Sequence, residues 1–362
     1  MKKYLIPLVA AILIAGIGCK KYNQDYRPLT QPPTEPPTGK KWVVRTVAGN
    51  GTASFVNGPA LSATFHFPGD ISVDNDGIIY VTDFFNFCIR KIVNGGVSNF
   101  AGGSGAGIVN DIGSSAQFRH PYSVALDANG YLYTSDDDDP RIRKISPARE
   151  VFTYAGIETP GFADGNVDTA RFGFGNYIVA DEEGNVYVSD AMNNRIRKIS
   201  ATGRVNTIAG SNIAGFINGN GAAAQFSFPG GIAIDLQGNL YVVDRGNFRI
   251  RKITPAGDVS TFAGSGTQGN ADGNADVAQF NHDMHDIVID KQGNLYIADN
   301  NRIRRVTPQG IVSTIAGSSF GFKDGDGDSA KFNFPNGLAI DAQGNIYVAD
   351  LNNNRIRKIS LE

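Results

Sequence analysis

The chain has few cysteines, few histidines and no excess of basic charge. Its 362 residues include two cysteines and four histidines. One of the two cysteines, Cys19, ends an N-terminal apolar segment, so an internal disulfide framework is excluded. The formal net charge of −2 at pH 7 excludes the basic face that a nucleic-acid-binding protein needs. No nucleic-acid partner is therefore expected.

Long apolar runs are also absent, apart from one near the N-terminus. After Lys2 and Lys3 comes an apolar core of about 14 residues, which is too short to span a bilayer and has the length of a secretory signal. It ends in small residues directly before Cys19 and resembles a bacterial lipoprotein signal. The resemblance implies that residues 1–18 are removed and that Cys19 becomes the acylated N-terminus. An ordinary signal peptide cut nearby is the alternative.

The segment after the signal has almost nothing to bury. Residues 19–41 contain the Pro/Thr-rich tract TQPPTEPPTGKK, which predicts an extended, semi-rigid tether. A lipid followed by a tether implies a membrane partner. The expected location is the bacterial cell envelope, as an outer-membrane lipoprotein that faces the periplasm or the cell surface.

From residue 42 onward one motif recurs about every 53 residues. Its copies begin at Phe65, Phe118, Phe172, Phe226, Phe280 and Phe332. Each copy reads as a short apolar strand, a glycine turn, a second strand, a polar loop and a third strand. A fourth strand precedes the next copy, and no run is long enough for a helix. The pattern predicts an all-β fold, a six-bladed β-propeller of four-stranded blades.

The last copy, residues 332–360, reads FNFPNGLAIDAQGNIYVADLNNNRIRKIS. This motif resembles the NHL repeat, which implies an NHL-type propeller over residues 42–362. Trp42 to Ala48 reads as a fourth strand, whereas the last copy stops after its third. The N-terminal strand is therefore expected to complete blade six and close the ring of one monomeric domain.

Positions shared by all copies are expected to serve the blade, so the departures are more informative about function. The residues just before each first strand should ring the mouth of the channel, and they predict a ligand site there. Blade five departs most, and blades one and two carry Phe84, Phe85 and Phe87 and the acidic run 136–139. The candidate ligand-binding residues at the mouth are Asp70, Tyr122, Asn176, His285, Asp286 and Asn336.

Three classes of function fit these residues. A non-catalytic propeller that binds a glycan, peptide or protein on its variable loop face is favoured, because no nucleophile–base pair stands out. A lactonase-like hydrolase would hold a divalent metal with Asp70, Asn176, Asp286 and Asn336, although the mouth has no glutamate. A lyase similar to the peptide-amidating enzymes would bind Zn²⁺ through His285 and His120. The candidate metal ligands are thus His285, Asp286 and His120, for Zn²⁺ or Ca²⁺.

The lipid anchor can be tested by Cys19→Ala. Acyl chains contribute about 0.8 kcal/mol per buried CH₂, so several chains anchor a protein permanently. We expect the variant to stay unprocessed or to be released as soluble protein, as measured by membrane fractionation and intact mass. Mature variant that still sediments with membranes would contradict lipidation at Cys19.

Overall fold

The computed structural model describes residues 39–362. The predicted signal, residues 1–18, and the tether up to residue 38 lie outside the described residues. Each copy of the repeat forms one antiparallel sheet, and the six sheets are blades one to six in the order of their first strands. The first strand of each blade contacts that of the next, and blade six contacts blade one. The predicted all-β six-bladed propeller is confirmed.

Each blade has four strands that succeed one another from the channel to the rim. The first strands are Pro68–Val73, Pro121–Leu126, Tyr177–Ala180, Pro229–Ile234, Met284–Ile289 and Pro335–Ile340. The second are Ile79–Asp83, Leu132–Asp136, Val186–Asp190, Leu240–Asp244, Leu295–Asp299 and Ile346–Asp350. The third are Cys88–Val93, Ile142–Ile145, Arg195–Ile199, Arg249–Ile253, Arg302–Val306 and Arg355–Leu361. The fourth are Gly96–Gly102, Val151–Ala155, Arg204–Gly210, Asp258–Ala263, Val312–Ala316 and, in blade six, Trp42–Ala48.

The other regular elements are short. A two-residue fifth strand edges four blades: Gly58–Pro59, Gly165–Asn166, Gly219–Asn220 and Gly325–Asp326. Single 3₁₀ turns lie at Phe84–Asn86, Gly113–Ser115, Ala191–Asn193, Gly221–Ala223, Arg245–Asn247 and Leu351–Asn353. We call the side with the connections from second to third strands, and from each fourth strand to the next blade, the loop face. The opposite side, with the tight turns, is the turn face.

Blade six is closed by the first strand of the described chain, as the sequence predicted. Trp42–Ala48 pairs antiparallel with Arg355–Leu361, from Trp42 opposite Leu361 to Ala48 opposite Ile356. Lys41 and Glu362 continue the ladder, since each backbone N–H donates to the carbonyl of the other at 2.6 and 2.8 Å. Because the two ends of the propeller share one sheet, the third strand of blade six keeps no unpaired edge.

A buried ion pair joins the second and third strands of five blades. In blade one Arg90 Nη1 donates to Asp83 Oδ2 at 2.6 Å, and both side chains are fully buried. The same guanidinium donates to the carbonyls of Thr64 and Val56. It therefore also ties down the loop that precedes the first strand. The equivalent pairs are Arg197–Asp190, Arg251–Asp244, Arg304–Asp299 and Arg357–Asp350.

The hydrophobic cores lie between blades, not within them. Each of six clusters combines side chains of two adjacent blades. The phenylalanine that opens each copy of the repeat is fully buried in one of them: Phe65, Phe118, Phe172, Phe226, Phe280 and Phe332. Burial of such a ring contributes about 1.5–3 kcal/mol. A blade is therefore stable only beside its neighbours.

Ring closure can be tested with two deletions. Removing residues 41–49 takes away the outer strand of blade six and the buried side chains of Val44 and Ala48. Removing residues 20–39 takes away only the predicted tether. We expect the first deletion to lower the melting temperature by about 10 °C or more and the second to leave it within about 2 °C. Equal melting temperatures by calorimetry would contradict closure by this strand.

Candidate functional site

The first strands enclose a channel along the axis of the propeller. Its cavity of about 210 Å³ is lined by aliphatic side chains of the first strands, with Asp70 and Asp286 among the lining residues. Asp70 lies near the start of the first strand of blade one, and Asp286 has the same place in blade five. The two carboxyl groups therefore stand at the loop-face end of an otherwise apolar channel.

Asp70 and Asp286 are buried, and their carboxyl groups lie close enough for each to shift the pKa of the other. Asp70 accepts from Ser123 Oγ at 2.7 Å and from the Val124 N–H at 2.8 Å. Asp286 accepts from the Leu338 N–H at 2.8 Å. Burial raises the pKa of Asp70 to about 6, and burial together with the nearby Asp70 charge raises that of Asp286 well above its ordinary value. The pair can therefore hold a proton between its two carboxyl groups.

Glycines in the neighbouring blades make room for this pair. A Cβ on Gly231 would lie 2.5 Å from Asp286 Cα, and a Cβ on Gly337 would collide with Asp70 Cα. Any other residue at these positions would have to displace the first strand of the adjacent blade. The motif shows these glycines, but their reason appears only when the strands are placed side by side.

A chain of hydrogen bonds covers the carboxyl pair on the loop-face side. The Tyr122 hydroxyl donates to that of Tyr177 at 3.1 Å, and Tyr177 donates to Asn336 Oδ1 at 3.2 Å. Asn336 Nδ2 donates to the Gly69 carbonyl at 2.9 Å. Residues of blades two, three, six and one are thereby joined across the channel mouth. Tyr122 and Asn336 are two of the candidate ligand-binding residues that the sequence predicted for the channel mouth.

The histidines of the predicted metal site lie in different surroundings. Burial lowers the pKa of His285 to about 3, and its Nδ1 has no hydrogen-bond partner among the described residues. His120 instead pairs through Nδ1 with Asp138 Oδ2 at 2.7 Å and stacks on Phe84. Within residues 39–362 no group of three or more His, Cys, Asp or Glu side chains is placed to hold a metal ion.

The remaining mouth residue, Asn176, is buried, and its Nδ2 donates to the Gly173 carbonyl at 2.8 Å. Its Oδ1 has no partner among residues 39–362. Together with Tyr122, Tyr177, Asn336 and the carboxyl pair, it completes the polar layer at the loop-face end of the channel.

The densest group of aromatic side chains lies on the loop face of blades one and two. We call it the aromatic cluster: His66, Phe67, Phe84, Phe85, Phe87 and His120. The rings of Phe84 and His120 are stacked with centroids 4.6 Å apart, and Phe85 meets Phe84 edge to face at 4.9 Å. Phe85 is 39% exposed. Sequence reasoning found the three phenylalanines of the 84–87 loop but missed His66 and Phe67, which only the fold brings to them.

Among the described residues, blade two, which lies beside this cluster, lacks the buried arginine–aspartate pair of the other five blades. Asp136 accepts from the backbone N–H groups of Arg119, His120 and Asp138 at 2.8–3.0 Å. Arg143 has no carboxylate within salt-bridge distance among the described residues, and its burial lowers its pKa to about 10.

The other three carboxylates of this loop, Asp137, Asp138 and Asp139, differ in their surroundings. Asp139 is buried and holds Arg141 through two hydrogen bonds of 2.7 and 2.6 Å. Asp137 and Asp138 are left exposed, and Asp138 pairs with His120 of the aromatic cluster. Blade two thus has a hydrogen-bonded acidic loop where the other blades have the buried arginine–aspartate pair.

Six four-stranded sheets about a channel capped by polar side chains define the class: a six-bladed β-propeller. NHL repeats are found in the chain, since the NHL repeat family model matches residues 65–92, 226–253 and 332–359. These are three of the six copies recognised above, and the fold shows that the others have the same structure.

Relatives in sequence are large proteins. Teneurin-4 of Homo sapiens is 28% identical over 99% of this chain and 14% of its own length. Protein SUPPRESSOR OF QUENCHING 1, chloroplastic, of Arabidopsis thaliana is 29% identical over 84% of this chain and 31% of its own. The chain spans less than a third of either relative.

Solved structures share the fold at low identity. An auxiliary nutrient binding protein from Bacteroides ovatus has a TM-score of 0.65 at 19% identity, over 89% of this chain and 77% of its own. A gluconolactonase from Xanthomonas campestris has 0.58 at 10%, over 88% and 89%. Virginiamycin B lyase from Staphylococcus aureus has 0.53 at 13%, over 89% and 100%. In residues 39–362 no helix has the length and apolarity that crossing a membrane requires.

The carboxyl pair predicts a pH dependence that Asp286→Asn should remove. Because the pKa of Asp70 is about 6 in the folded protein against an ordinary 3.8, the folded state binds more protons than the unfolded chain between these values. The contribution of the pair to stability is therefore present below about pH 4 and is lost as the pH rises through about 6. Asparagine keeps a donor for Asp70 and an acceptor for the Leu338 N–H but cannot ionise.

We expect Asp286→Asn to be at least as stable as the wild type at pH 7.5, with the difference shrinking toward pH 4. Urea unfolding across this range measures the difference, and Asp76→Asn, on the exposed turn face, is the control. A difference that does not change with pH would contradict the shared proton.

Proposed function

We propose that this chain is a monomeric bacterial cell-envelope lipoprotein whose propeller binds a glycan, peptide or protein without catalysis, at the aromatic cluster. The observation that carries the proposal is the position of two departures from the repeat. The aromatic loop of blade one and the acidic loop of blade two are neighbours on one face and meet through His120, which stacks on Phe84 and pairs with Asp138. Rigid, half-exposed rings beside exposed carboxylates are typical of binding sites on a fixed scaffold.

The hydrogen bonds across the channel mouth also favour binding at the aromatic cluster over binding inside the channel. A molecule that approaches from the loop face meets the hydrogen-bonded Tyr122, Tyr177 and Asn336 before it reaches Asp70 and Asp286. Opening this path would break two hydrogen bonds between buried groups, each worth about 1 kcal/mol. The aromatic cluster requires no such rearrangement.

The way the chain enters the propeller fits an anchored protein. Trp42 begins the outer strand of blade six at the turn face, where Lys41 pairs with Glu362. A tether that leaves from the turn face lets the loop face point away from the surface to which Cys19 would be attached. The neighbour named as an auxiliary nutrient binding protein agrees with a ligand-binding role.

A hydrolase similar to the gluconolactonase is the second candidate, and the Asp70–Asp286 pair favours it. Two carboxyl groups that share a proton can supply both an acid and a base. The substrate would then enter the channel from the turn face, between the aliphatic side chains that line it.

Phe85→Ala tests the proposed site. Loss of the most exposed ring of the cluster should weaken binding about tenfold, since burying such a ring is worth about 1.5–3 kcal/mol. The measurement is binding of the purified protein to arrays of glycans and peptides, followed by calorimetry on the hits. Phe320→Ala is the matched control, because Phe320 is 49% exposed on the loop face of blade six. Equal losses in both variants, or none in Phe85→Ala, would place the site elsewhere.

A further inference from the structure

The internal repeat shows what an exposed phenylalanine of the loop face packs against. In three blades an arginine that starts the third strand lies over a phenylalanine of the loop that enters the blade from the fourth strand of the previous blade. The guanidinium carbon is 3.8–3.9 Å from the ring centroid in Arg195–Phe162, Arg249–Phe216 and Arg355–Phe322. Each of these guanidinium groups also donates to a backbone carbonyl of its own blade. The chain thus uses the same cation–π contact three times.

Blade one has the rings without this arginine. Phe55 occupies the equivalent loop, but the third strand starts at Cys88, so only the buried Arg90 lies over the Phe55 ring. Asn86 Nδ2 donates to the Ser54 carbonyl at 3.0 Å and joins this loop to the 84–87 loop. Within residues 39–362, no cationic side chain stacks on the phenylalanines of the aromatic cluster. The most aromatic part of the loop face therefore lacks a cation.

The charge beside these rings has the opposite sign. Asp138 is exposed and pairs with His120 at the edge of the cluster, and the neighbouring Asp137 has its carboxylate next to Gly175 of blade three. Partial burial and the negative charge of Asp138 raise the pKa of Asp137. The nearby Arg119 is directed to the Asp138 carbonyl and to Glu158. Of the two carboxylates only Asp138 has a basic partner, His120, so a cation from outside would relieve their repulsion.

We propose that the aromatic cluster and the acidic loop of blade two bind an arginine-bearing peptide segment of a partner protein. This inference rests on the proposed function and names its ligand class. The guanidinium would stack on Phe85 and pair with Asp138, with the charge of Asp137 beside it. This is the same kind of contact that the arginines of blades three, four and six make with phenylalanines at another loop position. Arginine suits this site better than lysine because its planar group can stack and donate to a carboxylate at the same time.

The test uses the peptide acetyl-Arg-Gly-Arg-Gly-Arg-amide and its citrulline counterpart, which has nearly the same shape and no charge. Calorimetry on the wild type should show binding of the arginine peptide that weakens with added salt, and at least about tenfold weaker binding of the citrulline peptide. The double variant Asp137→Asn, Asp138→Asn should lose about fivefold or more in affinity. The double variant Glu182→Gln, Glu183→Gln makes the same change in charge on the exposed turn face and should bind as the wild type does.

Each other outcome decides against part of the proposal. Equal affinity for the two peptides, or equal losses in the two double variants, would overturn a specific arginine site. If a neutral oligosaccharide binds in a Phe85-dependent manner and the arginine peptide does not, the ligand class is wrong and the proposed function stands. If neither binds and Phe85→Ala changes no interaction on the arrays, the proposed function fails as well.

Discussion

The blades depend on a buried aspartate at the end of each second strand. In five blades it pairs with a fully buried arginine of the third strand, and in all six it accepts backbone N–H groups from the loop before the first strand. Removing one partner of such a pair typically costs about 3–5 kcal/mol because the other charge stays buried. One side chain therefore fixes two strands and the loop that leads to the channel.

The exception to this constraint lies in blade two, beside the proposed binding site. Asp136 keeps its bonds to the loop but not to Arg143, and the buried arginine has to rely on carbonyls and the Asn110 side chain. Such a local loss of stability is expected at sites under functional selection. What the blade gains is a rigid acidic loop in contact with the aromatic loop of blade one.

The channel and the aromatic cluster on the loop face are separate parts of the molecule. The mouth of the channel is held by hydrogen bonds between blades: Asp70 accepts one from the first strand of blade two, and Asp286 accepts one from the first strand of blade six. The tyrosine and asparagine side chains above them join four blades across the axis. A ligand at the proposed site on the aromatic cluster would touch none of these groups, so we expect that mutations can change binding without opening the propeller ring.

Much of the fold was predictable because it repeats. A period near 53 residues, short strands rich in Val, Ile, Tyr and Thr, and a fourth-strand motif at Trp42–Ala48 are local signals, and six copies confirm each other. The same comparison marked Phe84, Phe85 and Phe87 and the 136–139 run as departures. It also selected Asp70, Tyr122, Asn176, His285, Asp286 and Asn336 for the mouth of the channel.

The sequence by itself therefore determined the architecture, the number of blades and the way the ring closes, since these follow from local pattern and from which strands remain unpaired. Only the tertiary structure decided which departures meet. It stacked His120 of blade two on Phe84 of blade one, and it brought Asp70 of blade one against Asp286 of blade five. Such contacts depend on the angle between blades and on rotamers chosen in packing, and neither is encoded in the period of a repeat.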